Sequence, residues 1–371
     1  MRLSHCLWIS MFAMMLGDSF FPLKLCAQDS VRWMRLEEPH MSNLQKIDKK
    51  LNDIDTTYIE PQHYNFTVML QNTTTYEVYR LRSKNGHSIK FAPEATVRLG
   101  PYFGWRWMFL GYTIDITHFN LKMNNSTRME YGLSIYSSKI GLDLYHRKTG
   151  DNYKIRNVNF GNDIDTSPMR NVPFGGLSST ITGFDIYYIF NHRRFSYPAA
   201  FSQSTVQRRS AGSALLGFGY TRQSLSLDWN ALNQIVIERM GKEAENIVDR
   251  SLLFGRIKYT DVSFSGGYAY NWVFAKNWLL AGSGSVAIAY KHSTGDTQKS
   301  SFSFRNFSLD NVNLDAIGRF GLVWNNTRWY AGSSVILHAY SYRKEEFSTD
   351  NVFGSLNIYV GYNFGRKKDK K

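Results

Sequence analysis

The 371-residue chain carries 44 Lys and Arg against 30 Asp and Glu, a formal charge of +14 at pH 7, with 15% aromatic residues, 28 glycines and only 8 prolines. That mix excludes a disordered or collagen-like chain and favours a β-rich one over a helical bundle. The only two cysteines, Cys6 and Cys26, lie near the N-terminus, so neither disulfides nor thiol chemistry are expected in the rest of the chain.

The chain opens MRLSHCLWISMFAMMLGDSFFPLKLCAQDS. Basic Arg2, the apolar run Leu7 to Leu16 and the small residue Ala27 predict a secretory signal peptide over 1–27, too short to span a bilayer as a helix. Cys26 also allows a lipoprotein reading, which Lys24 and Leu25 disfavour. Export without disulfides suits a Gram-negative envelope. It also argues against nucleic acid as the partner of the basic charge, leaving acidic lipid head groups or glycans. No later stretch approaches the ~20 apolar residues of a membrane helix.

Residues 28–62 differ in pattern from the remainder of the chain. Leu44, Ile47, Leu51 and Ile54 fall at helical spacing, predicting a short amphipathic helix over 41–53 in a periplasmic lead-in, or a plug if it folds into a lumen. A barrel domain over 63–365 and a basic tail, 366–371, complete the division.

From Tyr64 onward the pattern alternates. Strands are expected at 64–71, 88–100, 105–118, 131–147, 153–159, 177–190, 211–228, 255–270, 277–291, 311–325, 327–342 and 352–364. Twelve antiparallel strands would leave both ends of a bacterial barrel on the periplasmic side. Counted from there, the outer connections (72–87, 119–130, 160–176, 229–254, 292–310, 343–351) are long. The inner ones (101–104, 148–152, 271–276 and a turn near Asn326) are short, as in a transmembrane barrel. The inner connection 191–210 breaks this rule with twenty residues.

Two faces separate along the strands. In 311–325, Val312, Leu314, Phe320, Leu322 and Trp324 alternate with Asn313, Asp315 and Arg319. Charges keep largely to one parity, as they must if the other face meets lipid, where Arg or Lys costs roughly 2–4 kcal/mol at mid-depth. The polar parity places Lys90, Glu94, Arg98, Asp115, Asp143, Arg147, Asp185, Asp261, Lys291, Asp315 and Arg319 in a lumen. These near-neutral charges fit either a narrow polar conduit or an ion-pair network that holds the shape. Trp105, Trp107, Trp272, Trp278, Trp324 and Trp329 gather at the inner turns, as expected of an aromatic girdle at a water–lipid interface. A soluble two-sheet sandwich is the alternative fold.

Within 191–210, Arg193, Arg194, Arg208 and Arg209 surround a hydroxyl-rich centre. A solvated loop with arginines at inner-leaflet head groups is expected, against a periplasmic contact site or an inward-folded constriction. Candidate hydrolase pairs are His87 with Ser88, His292 with Ser293 and His338 with Ser341. All are weak, because adjacent or odd-spaced strand residues face opposite ways and nucleophilic catalysis needs a base within hydrogen-bond reach. No metal-ligand spacing and no phosphate loop is present.

The strings GPYFGWRWMFLGYTIDIT (100–117), YNFTVMLQN (64–72) and FSYPAAFSQSTVQRRSAGS (195–213) resemble a domain-of-unknown-function family, number 4421, of exported proteins from Bacteroidetes-type bacteria. The resemblance runs from about Asp55 to the C-terminus. It implies an outer-membrane-like β protein and brings no activity, ligand or catalytic residue. The sequence therefore reads as an outer-membrane barrel for passage or docking of a small polar solute, without cofactor. A structural or adhesive surface barrel and an outer-membrane hydrolase are the alternatives, and oligomeric state stays open.

Overall fold

In the computed structural model the described residues are 53–105, 108–111, 114–115, 129–149, 153–161, 164–244, 247–249, 252, 255–295, 311–343 and 347–367. The leader and, save for Asp53, the helix expected over 41–53 lie outside them.

Alternation drives long antiparallel strands. They are β1 (Ile59–Pro61), β2 (Tyr64–Ser83), β3 (Ser88–Pro93), β4 (Thr96–Trp105), β5 (Met108–Gly111), β6 (Ile114–Asp115), β7 (Met129–Tyr136), β8 (Ile140–Lys148) and β9 (Tyr153–Asn159). Then come β10 (Val172–Phe174), β11 (Leu177–Ile189), helix α1 (Tyr197–Phe201), β12 (Thr205–Gln207), β13 (Ala211–Leu227) and helix α2 (Trp229–Met240). β14 (Arg256–Ala275), β15 (Trp278–Gly295), β16 (Val312–Asn325), β17 (Trp329–Arg343) and β18 (Phe347–Arg366) finish the chain. No helix among the described residues is long and apolar enough to cross a membrane.

The wall runs β7-β8-β11-β13-β14-β15-β16-β17-β18-β2-β4, and β4 then pairs β5 and β6. With β5 and β6 taken as one interrupted strand, twelve strands among the described residues make the wall. The sheet curls on itself. Side chains of β8, near one end of this order, meet those of β2, near the other, through Arg147 and Glu77 at 3.9 Å. Tyr145 of β8 also meets Tyr340 of β17, their hydroxyls 2.9 Å apart.

The wall is turned inside out relative to a soluble sandwich. On β16, Leu314 (64% exposed), Phe320 and Leu322 face outward, while Asn313, Asp315 and Arg319 are buried. Phe264 (65%) and Ile288 (61%) continue the apolar exterior on β14 and β15. The fold is an antiparallel barrel with the faces of a transmembrane one, not a sandwich, because exposed side chains of this size find a solvent only in hydrocarbon.

Several expected boundaries move. The span 131–147 is two strands, β7 and β8, joined by a tight turn at 137–139 where Ser137 N donates to Ile140 O at 2.9 Å. Strand 153–159 is not part of the wall, since β9 pairs β3 and β10 instead. The expected turn 101–104 is strand, with β4 running on to the Trp105↔Met108 pair with β5. The expected loop 72–87 is largely strand too, because β2 continues through its Thr-rich stretch to Ser83.

At the long-loop end, β3, β9, β10 and α2 build an apolar cap. Leu232 and Val236 on one face of α2 bury against a cluster that includes Leu81, Ile89, Phe91, Ile155, Phe174 and Leu227. Asp228 caps α2 by accepting from Ala231 N at 3.1 Å, and Gly241 at φ +94° ends it in a conformation that L side chains rarely adopt.

Candidate functional site

The interior is where alternation places polar groups and where the curled wall brings distant strands together. Arg319 of β16 reaches across to Asp143 of β8, Nη2 donating to Oδ2 at 2.6 Å. Lys291 of β15 donates to Asp315 Oδ1 at 2.8 Å and lies 3.2 Å from Asp261 of β14. Arg147 sits over the Phe353 ring, 5.0 Å from its centroid, as well as facing Glu77. Buried charges are tolerated when paired in this way, yet the arrangement is incomplete. Asp185 Oδ2, Asp261 Oδ1 and Arg319 Nε lack a hydrogen-bond partner among the described residues.

The expected lumen residues divide. Asp143, Arg147, Asp261, Lys291, Asp315 and Arg319 are buried, and Asp185 is half-buried between Phe184 and Ile186. Arg98 is half-buried on β4, its Cα in register with that of Asp115. Lys90 and Glu94 do not enter the interior. The span 88–100 breaks after Pro93, and in β3 it is Ile89 and Phe91 that bury into the cap, which turns Lys90 outward. Glu94 is exposed and pairs with Lys154 of β9.

Glu77, Tyr79, Tyr145, Tyr340 and His338 also face inward and were not among the expected residues. Tyr79 OH meets Ser179 Oγ at 2.5 Å and accepts from Asn351 Nδ2 at 3.0 Å. Alternation of Thr73, Thr75, Glu77 and Tyr79 carried that signal in the sequence. His338 stacks on Phe353 with centroids 4.9 Å apart, while Ser341 on the other parity donates to Leu314 O. The two therefore form no nucleophile–base pair.

Segment 191–210 is not a solvated loop. Phe195 to Ala200 are all buried, because the segment folds into the lumen at the short-turn end. Ser196 caps α1 and Pro198 sits in its first turn. Tyr197 OH meets Ser283 Oγ of β15 at 2.5 Å, Gln203 Nε2 donates to Tyr359 OH of β18 at 2.8 Å, and Asn271 Nδ2 of β14 donates to Ser196 O at 2.8 Å. The guanidinium of Arg319 lies 5.9 Å from the Tyr197 ring centroid, so plug and ion pair touch.

The four arginines of this segment meet residues 53–61. β12 pairs β1, with Glu60 opposite Val206. Arg208 pairs with Glu60, Arg193 with Asp53 at 3.5 Å and Arg194 with Asp55 at 3.9 Å. Arg194 and Arg209 both lie against the Tyr58 ring, 5.1 and 5.7 Å from its centroid. The lead-in is a strap across the plug. Burial by contacts more than sixty residues away in sequence left no local signal.

Around this end the outer face is aromatic. Trp278 stands opposite Trp324 in register, Trp329 packs on Tyr362 with centroids 4.6 Å apart, and Trp272 is half exposed. The side chain of Trp105 and all of Trp107 lie outside the described residues.

Fold and interior together define a β-barrel with a polar lumen, plugged from the short-turn end and capped at the other. The chain belongs to the family Domain of unknown function (DUF4421), whose model matches residues 53–364. No curated protein matches it. Among solved structures it is similar to the Pseudomonas putida toluene transporter TodX, at 8% identity over 82% of this chain and 91% of that one, TM-score 0.26. It is similar also to the translocator domain of autotransporter NalP from Neisseria meningitidis, at 8% identity over 81% and 88%, TM-score 0.32. OmpT, an outer membrane protein of Vibrio cholerae, matches at 9% identity over 79% and 97%, TM-score 0.23. Likeness this distant assigns no role.

Proposed function

We propose that this chain is an exported outer-membrane β-barrel of a Gram-negative envelope that passes or docks a small polar solute, held shut here by segment 191–210. The observation that carries the reading is a charged interior blocked by a discrete segment. A barrel needed only for shape would hold it at less cost with an apolar filling, since replacing buried ion pairs by well-packed hydrophobes is often neutral or stabilising. Here five acids and three bases, Glu77, Asp143, Asp185, Asp261 and Asp315 with Arg147, Lys291 and Arg319, stay inside. The plug is held by side-chain hydrogen bonds, a three-residue ladder and the packing of Phe195, Tyr197, Ala199 and Ala200 against wall residues such as Ile189, Leu215, Leu279 and Val323. None of these contacts belongs to the wall's own ladder. We read the barrel as non-enzymatic, with membrane lipid and solute as its partners and no cofactor.

Conductance across a planar bilayer tests this. The wild-type chain is expected to conduct rarely, and Tyr197→Ala with Gln203→Ala to raise the open fraction at unchanged unboiled migration in SDS gels. Silence of both proteins favours the second reading, a structural or adhesive surface barrel. The observation behind that reading is the apolar cap over the long-loop end.

A further inference from the structure

The wall is not uniformly zipped. β16 and β17 pair from Asn325↔Tyr330 only as far as Ala316↔Ala339. Beyond this rung each continues against its other neighbour, β16 against β15 to Val312 and β17 against β18 to Arg343. Between them side chains take the place of the ladder. Asp315 Oδ1 accepts from Ser341 N at 3.0 Å, Asn313 Oδ1 from Arg343 N at 3.0 Å, and Lys291 Nζ donates to Ser341 O at 2.7 Å. In hydrocarbon every backbone donor and acceptor needs a partner, so the seam is satisfied but propped open.

Outside the seam lies a groove of about 570 Å³, within the range of ligand sites. Its walls are largely apolar, with Val286, Leu314, Ala316, Ala339 and Val352, and Asp315 and Ser341 of the seam border it. Its rim toward the long-loop end carries Arg80 and Lys90. These two cations are direct cross-strand partners on β2 and β3, an arrangement that is destabilising by itself. On its other side Arg80 stands opposite Asp350 of β18 in register, yet that carboxylate pairs with Arg82 at 3.7 Å, and neither Arg80 nor Lys90 has an ion-pair partner among the described residues. The two acids that line the groove are each engaged elsewhere, Asp315 by Lys291 and Asp350 by Arg82, so Arg80 and Lys90 leave the rim positive beside a largely apolar trough that faces lipid.

We propose that the β16–β17 groove binds a phosphate-bearing membrane lipid, one acyl chain in the trough and the phosphate between Arg80 and Lys90. Arg supplies a planar fork for phosphate oxygens and Lys a point charge, which together offset the repulsion between them. The inference needs the barrel to lie in a membrane and needs no passage through its lumen.

Native mass spectrometry of the full chain in detergent tests it, with phosphatidylglycerol as the probe, diacylglycerol as the phosphate-free control and inorganic phosphate as competitor. Phosphatidylglycerol is expected to stay bound and diacylglycerol to leave. Arg80→Gln with Lys90→Gln should weaken retention about tenfold or more, two cation contacts at a membrane surface being lost. Ala339→Phe, which fills the trough and keeps both cations, should also weaken it. Unaltered retention in either variant, equal retention of diacylglycerol, or displacement by inorganic phosphate overturns the proposal. Conductance of the Arg80/Lys90 variant separates the two readings, since it should match wild type whichever way the lumen behaves.

Discussion

Arg319 and Asp143 join opposite sides of the barrel, from β16 to β8, through a 2.6 Å hydrogen bond at the level where the Tyr197 ring closes the lumen. The same guanidinium lies 5.0 Å from the centroid of Tyr187, whose ring in turn lies over Gly141 so closely that a Cβ there would clash. One cation thus ties wall to wall and wall to plug.

Arg319→Leu should therefore destabilise the folded barrel by about 3–5 kcal/mol, the cost of leaving a buried charge unpartnered. Pairing it with Asp143→Leu should recover most of that loss. Urea titration in lipid vesicles of the two single variants and the double variant gives the coupling directly.

The strap predicts protease access. Tyr58 fills the space between Arg194 and Arg209, and Glu60 holds Arg208. Glu60→Lys with Tyr58→Ala should release β12 and open the bonds after Arg193, Arg194, Arg208 and Arg209 to trypsin. The ion pairs are partly exposed and contribute little singly. Cleavage should therefore rise severalfold while the wall still resists denaturation in SDS.

Acid should act on the same strap. Hydrogen bonds to Asp55 from the Thr57 hydroxyl and the Thr57 amide hold its carboxyl below the ordinary 3.8. A folded value lower than the unfolded one contributes stability that is present above the unfolded value. That stability is lost as pH falls through the depressed folded value. Trypsin is inactive there, so pepsin access to 53–61 is the readout. It should climb below the ordinary carboxylate range in wild type and climb less steeply there in Asp55→Asn, where only Asp53 and Glu60 still lose charge.

How far these features could be read from the sequence depends on the range of the interactions that make them. Leu314 against Asp315 and Phe320 against Arg319 are period-two facts, local to one strand, and the two faces could be read from them. Lys90 and Glu94 went astray because Pro93, Glu94 and Ala95 break one apparent strand into β3 and β4, and a break resets which parity faces in. Tyr197 gave no warning, since it is buried by residues of other strands, among them Tyr136, Tyr187, Leu215 and Ser283. The seam is equally long-range. It shows only when β16 and β17 are laid side by side.

The outer face predicts a cost by depth. Phe264 is 65% exposed in the middle of β14, packed on Phe218 with centroids 5.3 Å apart. Phe264→Arg should cost about 2–4 kcal/mol in vesicle folding equilibria if it sits near the bilayer midplane. The same change at Trp329, beside the 326–328 turn, should cost about 0–1 kcal/mol as a position near the interface. Equal costs at the two sites would argue against hydrocarbon around the wall.

The propped seam predicts a local signature in amide exchange. The Arg343 amide has Asn313 Oδ1 as its acceptor, and the Ser341 amide has Asp315 Oδ1. Asn313→Ala removes one and leaves the other. A single hydrogen bond of about 0.5–1.5 kcal/mol corresponds to roughly two- to tenfold faster exchange at Arg343, with Ser341 unchanged. Asp315→Asn keeps an oxygen for Ser341 but takes a charge from Lys291, which retains Asp261. Its Ser341 amide should stay protected while Asp315→Ala exposes it. If Arg343 and Ser341 respond together to Asn313→Ala, the seam opens as one unit and the side chains act as a single latch.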